Sequence, residues 1–179
     1  MKKNLFLVCL FMFGTLASCQ CSSKKSADNA VVNTTETPVP LGDPFILLHD
    51  GVYYAYGTHS NKGIEFYTSD DLLTWKYGGL ALNKEDSWAD RWFWAPEIYF
   101  VNGKFYMYYS ADEHICVAVA DSPTGPFVQD KKEPMIADEK CIDNSLFIDD
   151  NGTPYLSFVR FNDGNNIWIC LLYTSPSPR

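Results

Sequence analysis

The sequence predicts an all-β fold of β-propeller type, and three observations carry that expectation. Aromatic residues make up 16% of the 179-residue chain, tyrosine and phenylalanine foremost, which suits pleated, half-buried strands. Three stretches share one pattern: "DPFILLHDGVYYAYG" from Asp43, "APEIYFVNGKFYMYYS" from Ala95 and "DNSLFIDDNGTPYLSF" from Asp143. Each is a short apolar run, an Asp-Gly or Asn-Gly turn, and an aromatic run. The turn glycines Gly51, Gly103 and Gly152 stand 52 and 49 residues apart. A period near 50 with several strands per unit is the signature of propeller blades.

Local chemistry supports each element in turn. The Asp-Gly and Asn-Gly dipeptides supply the positive φ angles of tight hairpins. The later part of the unit repeats as well: "TSDDLLTW" ends at Trp75 and "VADSPTGPF" at Phe127, again 52 apart. "LNKEDSWADRW" is polar with scattered tryptophans and reads as a loop between blades. A sandwich would also use regular hairpins, but seldom at a fixed period. A closed propeller of four or more such blades needs roughly 200 residues or more. Residues 41–169 supply about two and a half blades at that period. Such a stack leaves blade faces and strand edges unpaired, so this chain by itself is not expected to reach a closed fold.

The flanks read differently. Residues 1–18 have two lysines, a short apolar run and small residues at the end, the pattern of a signal peptide. Leu16-Ala17-Ser18-Cys19 is similar to the bacterial lipobox, which makes Cys19 the lipidation site and the protein anchored, not spanning. Gln20, not an aspartate, follows Cys19, so the expected location is the bacterial cell envelope, as an outer-membrane lipoprotein on its surface or periplasmic face. Residues 19–40 are rich in Ser, Thr, Asn and Pro and read as a flexible tether. At the other end, "CLLYTSPSPR" (residues 170–179) breaks the strand pattern of "NNIWI" and looks like a translated sequencing adapter. It is expected to be a non-native remnant.

Composition also excludes some partners. The net charge is −8 with no basic cluster longer than a lysine pair, which argues against nucleic acid and suits a neutral sugar or polymer. Of six cysteines, Cys9 lies in the signal, Cys19 is the lipid site and Cys170 is in the expected remnant. That leaves Cys21, Cys116 and Cys141, an odd number without metal spacing. A Cys116–Cys141 bridge and a pair of buried free thiols both remain open. His49, His59 and His114 form no ligand motif, and the residues imply no cofactor or metal.

Three motifs carry a family resemblance: Gly42-Asp43-Pro44-Phe45, then Trp94-Ala95-Pro96-Glu97 with "GKFYMYYS", then Cys141-Ile142-Asp143 with "FIDDNGTPYL". In this order and spacing they resemble glycoside hydrolase family 43, five-bladed propellers that include β-xylosidases, α-L-arabinofuranosidases and arabinanases. The resemblance runs over residues 41–169. It implies that Asp43 is the general base of an inverting hydrolysis. Asp143 would be the second aspartate, which orients the catalytic acid and raises its pKa by like charge. Trp94 would line the sugar subsite, and Glu97 would contact substrate without being the acid. Some members hold a calcium ion at the propeller centre.

Each assignment has a plainer alternative. Asp43 could only cap backbone N–H groups, as turn acids do; Trp94 could only pack a blade; Asp143 could be a turn residue, and the proline common after it in the family is Asn144 here. Pro44 fixes its own φ and is expected to hold Asp43 in extended geometry, aiming its carboxylate. Trp88, Trp92 and Trp94 form a loop cluster that is not easily all core. His59 and Asn61 are further candidates for the cleft, while Asp149 and Asp150 read as solvated turn residues. No glutamate follows Glu139, so the acid is expected outside this chain and the fragment is expected to be inactive. The leading expectation is an inverting glycosidase acting on arabinose- or xylose-containing plant polysaccharides. The rivals are a non-catalytic carbohydrate-binding propeller of a surface glycan-uptake system and a structural or protein-binding propeller. A related fructan-acting clan uses Asn-Asp-Pro where this chain has Gly-Asp-Pro.

Overall fold

The computed structural model describes residues 38–162 and 164–172. The signal segment, Cys19, Cys21 and most of the tether lie outside the described residues, as do residues 173–179. Ten strands form among the described residues, in three antiparallel sheets. Blade 1 holds β1 (Gly42–His49), β2 (Val52–Thr58), β3 (Gly63–Ser69) and β4 (Lys76–Asn83). Blade 2 holds β5 (Trp94–Val101), β6 (Lys104–Ala111) and β7 (His114–Ala120). Blade 3 holds β8 (Cys141–Ile148), β9 (Pro154–Arg160) and β10 (Asn166–Leu171). At about four strands per blade this is the two and a half blades that the repeat predicts. In blade 2 the fourth place is taken by two single bridges, Val128 to Val119 and Phe127 across to Leu82 of blade 1.

The repeat's turns form for the reason the dipeptides suggest. Asp50 and Gly51 (φ +48° and +78°) and Asn102 and Gly103 (φ +50° and +79°) close two-residue hairpins, whose twist matches the strands. The third hairpin is longer. Asp149 Oδ1 accepts the N–H groups of Asn151 and Thr153, so Asp149 caps the loop and is not merely solvated. Those bonds, led by Thr153, hold its carboxyl below the usual range. The segment between blades 1 and 2 is a loop with one short 3-10 turn, Lys84–Asp86. Ser87 and Gln129 both bond the Tyr109 hydroxyl, at 2.8 and 3.1 Å, and Gln129 Oε1 accepts the Trp88 N–H. That network pins the loop to blade 2.

Strand β6 explains the core. Every residue from Phe105 to Ala111 is buried, because blade 2 is covered on both faces. Its side chains alternate with period 2. Phe105, Met107, Tyr109 and Ala111 face one cluster with Tyr56, Ile64 and Leu82 of blade 1. Tyr106 and Tyr108 face a second with Leu146, Leu156 and Phe158 of blade 3. Cys116 and Cys141 are buried in these two clusters as free thiols. Burial pushes the Cys116 thiol up to about 12.

The outer faces of blades 1 and 3 have no such cover. Ile46 and Leu48 are half-exposed on blade 1, while Phe147, Ile167 and Ile169 are 64%, 76% and 70% exposed on blade 3. Strand β10 runs past residue 169: Cys170 pairs with Leu156 and Leu171 with Tyr155. No helix among the described residues is long and apolar enough to cross a membrane.

Candidate active site

The first strand of each blade carries the same irregularity. β1, β5 and β8 lie side by side, and each shifts register near its start: between Gly42 and Phe45, Trp94 and Glu97, and Ile142 and Ser145. Such a bulge drops residues out of the ladder and re-aims their side chains. The residue at the same place in each bulge has left-handed backbone: Asp43 (φ +45°), Ala95 (φ +42°) and Asp143 (φ +55°). This corrects the expectation that Pro44 holds Asp43 extended. The bulge, not the proline, sets the direction of the carboxylate, and Ala95 before Pro96 repeats the same conformation without an acid. Non-glycine residues in this region are uncommon and favour Asp and Asn.

The three bulges converge on one cleft of about 290 Å³, lined by residues 43–45, 95–97 and 143–145 and no others. It therefore holds three carboxylates, Asp43, Glu97 and Asp143. A larger depression of about 490 Å³ lies on blade 1 beside Asp70, Asp71 and Lys76. There Asp71 Oδ1 is already used, accepting the N–H groups of Leu73 and Thr74, so the bulge cleft is the better chemical candidate.

Hydrogen bonds fix the cleft's walls across blade boundaries. The Thr58 hydroxyl donates to Asp43 Oδ2 at 3.0 Å, and the Ala95 N–H donates to Thr58 Oγ1 at 3.1 Å. Likewise the Asp143 N–H donates to Ser110 Oγ at 3.2 Å. The Tyr99 hydroxyl donates to Glu97 Oε2, and it accepts the Leu146 N–H of blade 3 at 3.1 Å. Burial, and then the charge of Asp43, raises the Asp143 carboxyl above the ordinary aspartate value. Asn144 beside it is buried, and neither the oxygen nor the nitrogen of its side-chain amide has a hydrogen-bond partner among the described residues.

Residues 35–175 match the family described as glycosyl hydrolases family 43. The chain belongs to that family. It is 36% identical over 164 residues to xylosidase/arabinosidase 43A of Humicola insolens, covering 74% of this chain and 50% of the relative. It is 27% identical over 148 residues to an extracellular exo-α-(1→5)-L-arabinofuranosidase of Cellvibrio japonicus, covering 70% and 42%. Among solved structures it is similar to an endo-1,4-β-xylanase from Bacteroides thetaiotaomicron, with 51% identity and a TM-score of 0.71, covering 75% of this chain and 47% of that one. The chain thus spans about half the length of the relatives it matches.

Within this family 43 chain the structure brings Asp43, Asp143 and Glu97 together and leaves other candidates apart. Trp94 immediately precedes the cleft residue Ala95, and its ring stacks on Trp92 at 5.8 Å and 12°. Trp92 in turn lies under the Arg91 guanidinium, 4.4 Å from its centroid. Trp88 leaves the expected cluster: it packs on the core against His114. His59 and Asn61 are exposed and do not line the cleft. Among the described residues no three His, Cys, Asp or Glu side chains group closely enough to hold a metal ion. Thr58, Ser110 and Tyr99 were not singled out from the sequence. The available signal was a hydroxyl residue closing the aromatic strand of each of the first two units, Thr58 and Ser110, 52 residues apart.

Proposed function

We propose that the whole protein is an inverting glycoside hydrolase acting on arabinose- or xylose-containing plant polysaccharides or oligosaccharides. The observation that supports this most is the pair of aspartates at equivalent bulge positions, Asp43 and Asp143, opening on one cleft. Asp43 is the general base. It takes a proton from water, whose oxygen attacks the anomeric carbon from the face opposite the glycosidic bond. The leaving oxygen takes its proton from a carboxylic acid on the other side, about 6.5–9.5 Å from the base in inverting enzymes. Asp143 acts on that acid, orienting it and keeping it protonated by like charge. No glutamate follows Glu139 in this chain, so the acid is supplied by the part of the protein beyond it. Trp94 and Glu97 contact the sugar, Trp94 through its ring face and Glu97 through hydroxyl hydrogen bonds. The enzyme is carried on the bacterial outer membrane by a lipid on Cys19, a placement that suits a polymer too large to enter the cell.

The test uses the whole protein and the aryl α-L-arabinofuranoside and β-xyloside. The wild type releases aryl alcohol, with the newly formed sugar of inverted anomeric configuration by proton NMR. Asp43→Asn loses turnover while retaining oligosaccharide binding. The 179-residue chain alone is inactive. Equal turnover by Asp43→Asn would overturn the base assignment, and release of aryl alcohol by the 179-residue chain would overturn the absence of the acid.

A further inference from the structure

We infer that Thr58 is a positioning residue for Asp43, whose hydroxyl ties the carboxylate to the neighbouring blade; this rests on the base role proposed above. Thr58 ends β2 and sits opposite Gly42 in the ladder, one residue from Asp43. Its hydroxyl has one proton to give and two lone pairs. The Ala95 N–H can only donate, so it occupies a lone pair of Thr58 Oγ1 at 3.1 Å. That leaves the hydroxyl proton for Asp43 Oδ2 at 3.0 Å. The polarity of the relay is therefore settled: Ala95 N–H to Thr58 O–H to Asp43 carboxylate. A donor whose own oxygen accepts a hydrogen bond is a stronger donor, and a carboxylate acceptor strengthens the bond further.

The relay exists because of the bulges. The Ala95 N–H drops out of its own ladder between Trp94 and Glu97, and a backbone donor in that position needs another partner. Ser110, opposite Trp94, meets the same need for the Asp143 N–H. The corresponding place in blade 3, opposite Ile142, is Val159, which has no hydroxyl. Two successive blades thus use a hydroxyl to accept the next blade's bulge N–H, and only in blade 1 does an aspartate of the same blade take the hydroxyl proton. Threonine suits that place. Its β-branch restricts χ1, so Oγ1 points one way. Asp43 accepts no other hydrogen bond from the described residues, which leaves Oδ1 for the water. The aim of the base thereby depends on how blade 1 docks on blade 2.

The test is a double-mutant cycle in the whole protein, comparing wild type, Thr58→Val, Thr58→Ser, Asp43→Asn and Asp43→Asn/Thr58→Val on aryl glycosides. Thr58→Val should lower kcat about 10- to 100-fold, the effect of a misaimed catalytic group, with KM little changed. Thr58→Ser should restore most of the rate. In the Asp43→Asn background Thr58→Val should cost nothing further. Thr58→Ala, which removes the same hydroxyl, replaces Thr58→Val in the cycle if the valine variant does not fold. A slow Asp43→Asn beside a Thr58→Val of wild-type rate overturns this inference alone, as does an equal loss from Thr58→Val in both backgrounds. An Asp43→Asn as fast as wild type overturns the catalytic reading itself.

Discussion

Gly57→Ala puts the bulge geometry under direct test, because one methyl group pushes on the backbone that carries Asp43. A Cβ at Gly57 would lie 2.5 Å from the Gly42 carbonyl oxygen and 2.9 Å from Leu41 Cβ. Ordinary contact begins near 3.4 Å, so the Gly42 carbonyl must recede by most of an ångström. The nearest obstacle is backbone, which cannot swing aside as a side chain would. Gly42 is bonded to Asp43, so the carboxylate moves with it. A displacement of about 1 Å at a catalytic group costs on the order of 100-fold in rate, and the overpacking costs about 1–3 kcal/mol of stability. Gly78→Ala separates the two effects. Gly78 lies in β4, away from the cleft, and the three atoms nearest its Cβ would all belong to the Phe66 side chain, the closest at 2.2 Å. The assay is kcat and KM of the whole protein on an aryl glycoside, with urea unfolding of each variant. Gly57→Ala should lose both stability and kcat, and Gly78→Ala stability only. A Gly57→Ala enzyme that is less stable but turns over at the wild-type rate would refute the claim that this backbone aims the base.

Two further predictions concern the third bulge. Because burial and the Asp43 charge raise the Asp143 carboxyl, the folded chain holds that proton more tightly than the unfolded one. Stability must then fall as pH rises from the ordinary aspartate range through the raised folded value. A urea-unfolding series across that window should show the fall in wild type and not in Asp143→Asn, and Asp43→Asn should move it to lower pH; identical pH profiles for wild type and Asp143→Asn would contradict this. Asn144→Pro should stabilise the chain by about 1 kcal/mol, since it removes a buried unpaired amide and restricts the unfolded chain. Pro44 and Pro96 occupy the same place after a left-handed residue, so the backbone accepts proline there. A lower urea midpoint for Asn144→Pro would show that the amide is satisfied after all.

The fold was legible because its signals are local. Asp50-Gly51 and Asn102-Gly103 specify their hairpins within two residues, and the 52-residue step carries the blade repeat. The aromatic run that follows Asn102-Gly103 is β6, while its burial on both faces depends on blades 1 and 3 and is not written in the run itself. The proline rule describes a regular chain, while the bulge that gives Asp43 its left-handed backbone forms only when β2 pairs with β1. The Thr58–Ala95 bond spans 37 residues and two blades, and nothing near either residue announces it. Trp88 and Trp94 lie six residues apart with similar surroundings in sequence, yet only pairing contacts send one to the core and leave the other beside the cleft.

The deepest regularity is that the repeat makes three equivalent places and the sequence fills them differently. Asp43, Ala95 and Asp143 share one backbone state at the mouth of one cleft. Left-handed φ at a non-glycine residue costs of order 1–3 kcal/mol, and blade 2 bears that strain with an alanine. The strain therefore belongs to the bulge, as the way the propeller starts each inner strand, and was not introduced for catalysis. What differs is the cargo. Burial, and then the charge of Asp43, already raises the Asp143 carboxyl; a third aspartate at residue 95 would stand between the two, compete for the same protons and repel both. The backbone N–H of residue 95 serves Thr58 whatever the side chain, and the middle blade contributes Glu97 two residues further on, held by Tyr99. An Ala95→Asp substitution fits the backbone that both aspartates already adopt, so the absence of an acid at that place is set by electrostatics, not by the fold.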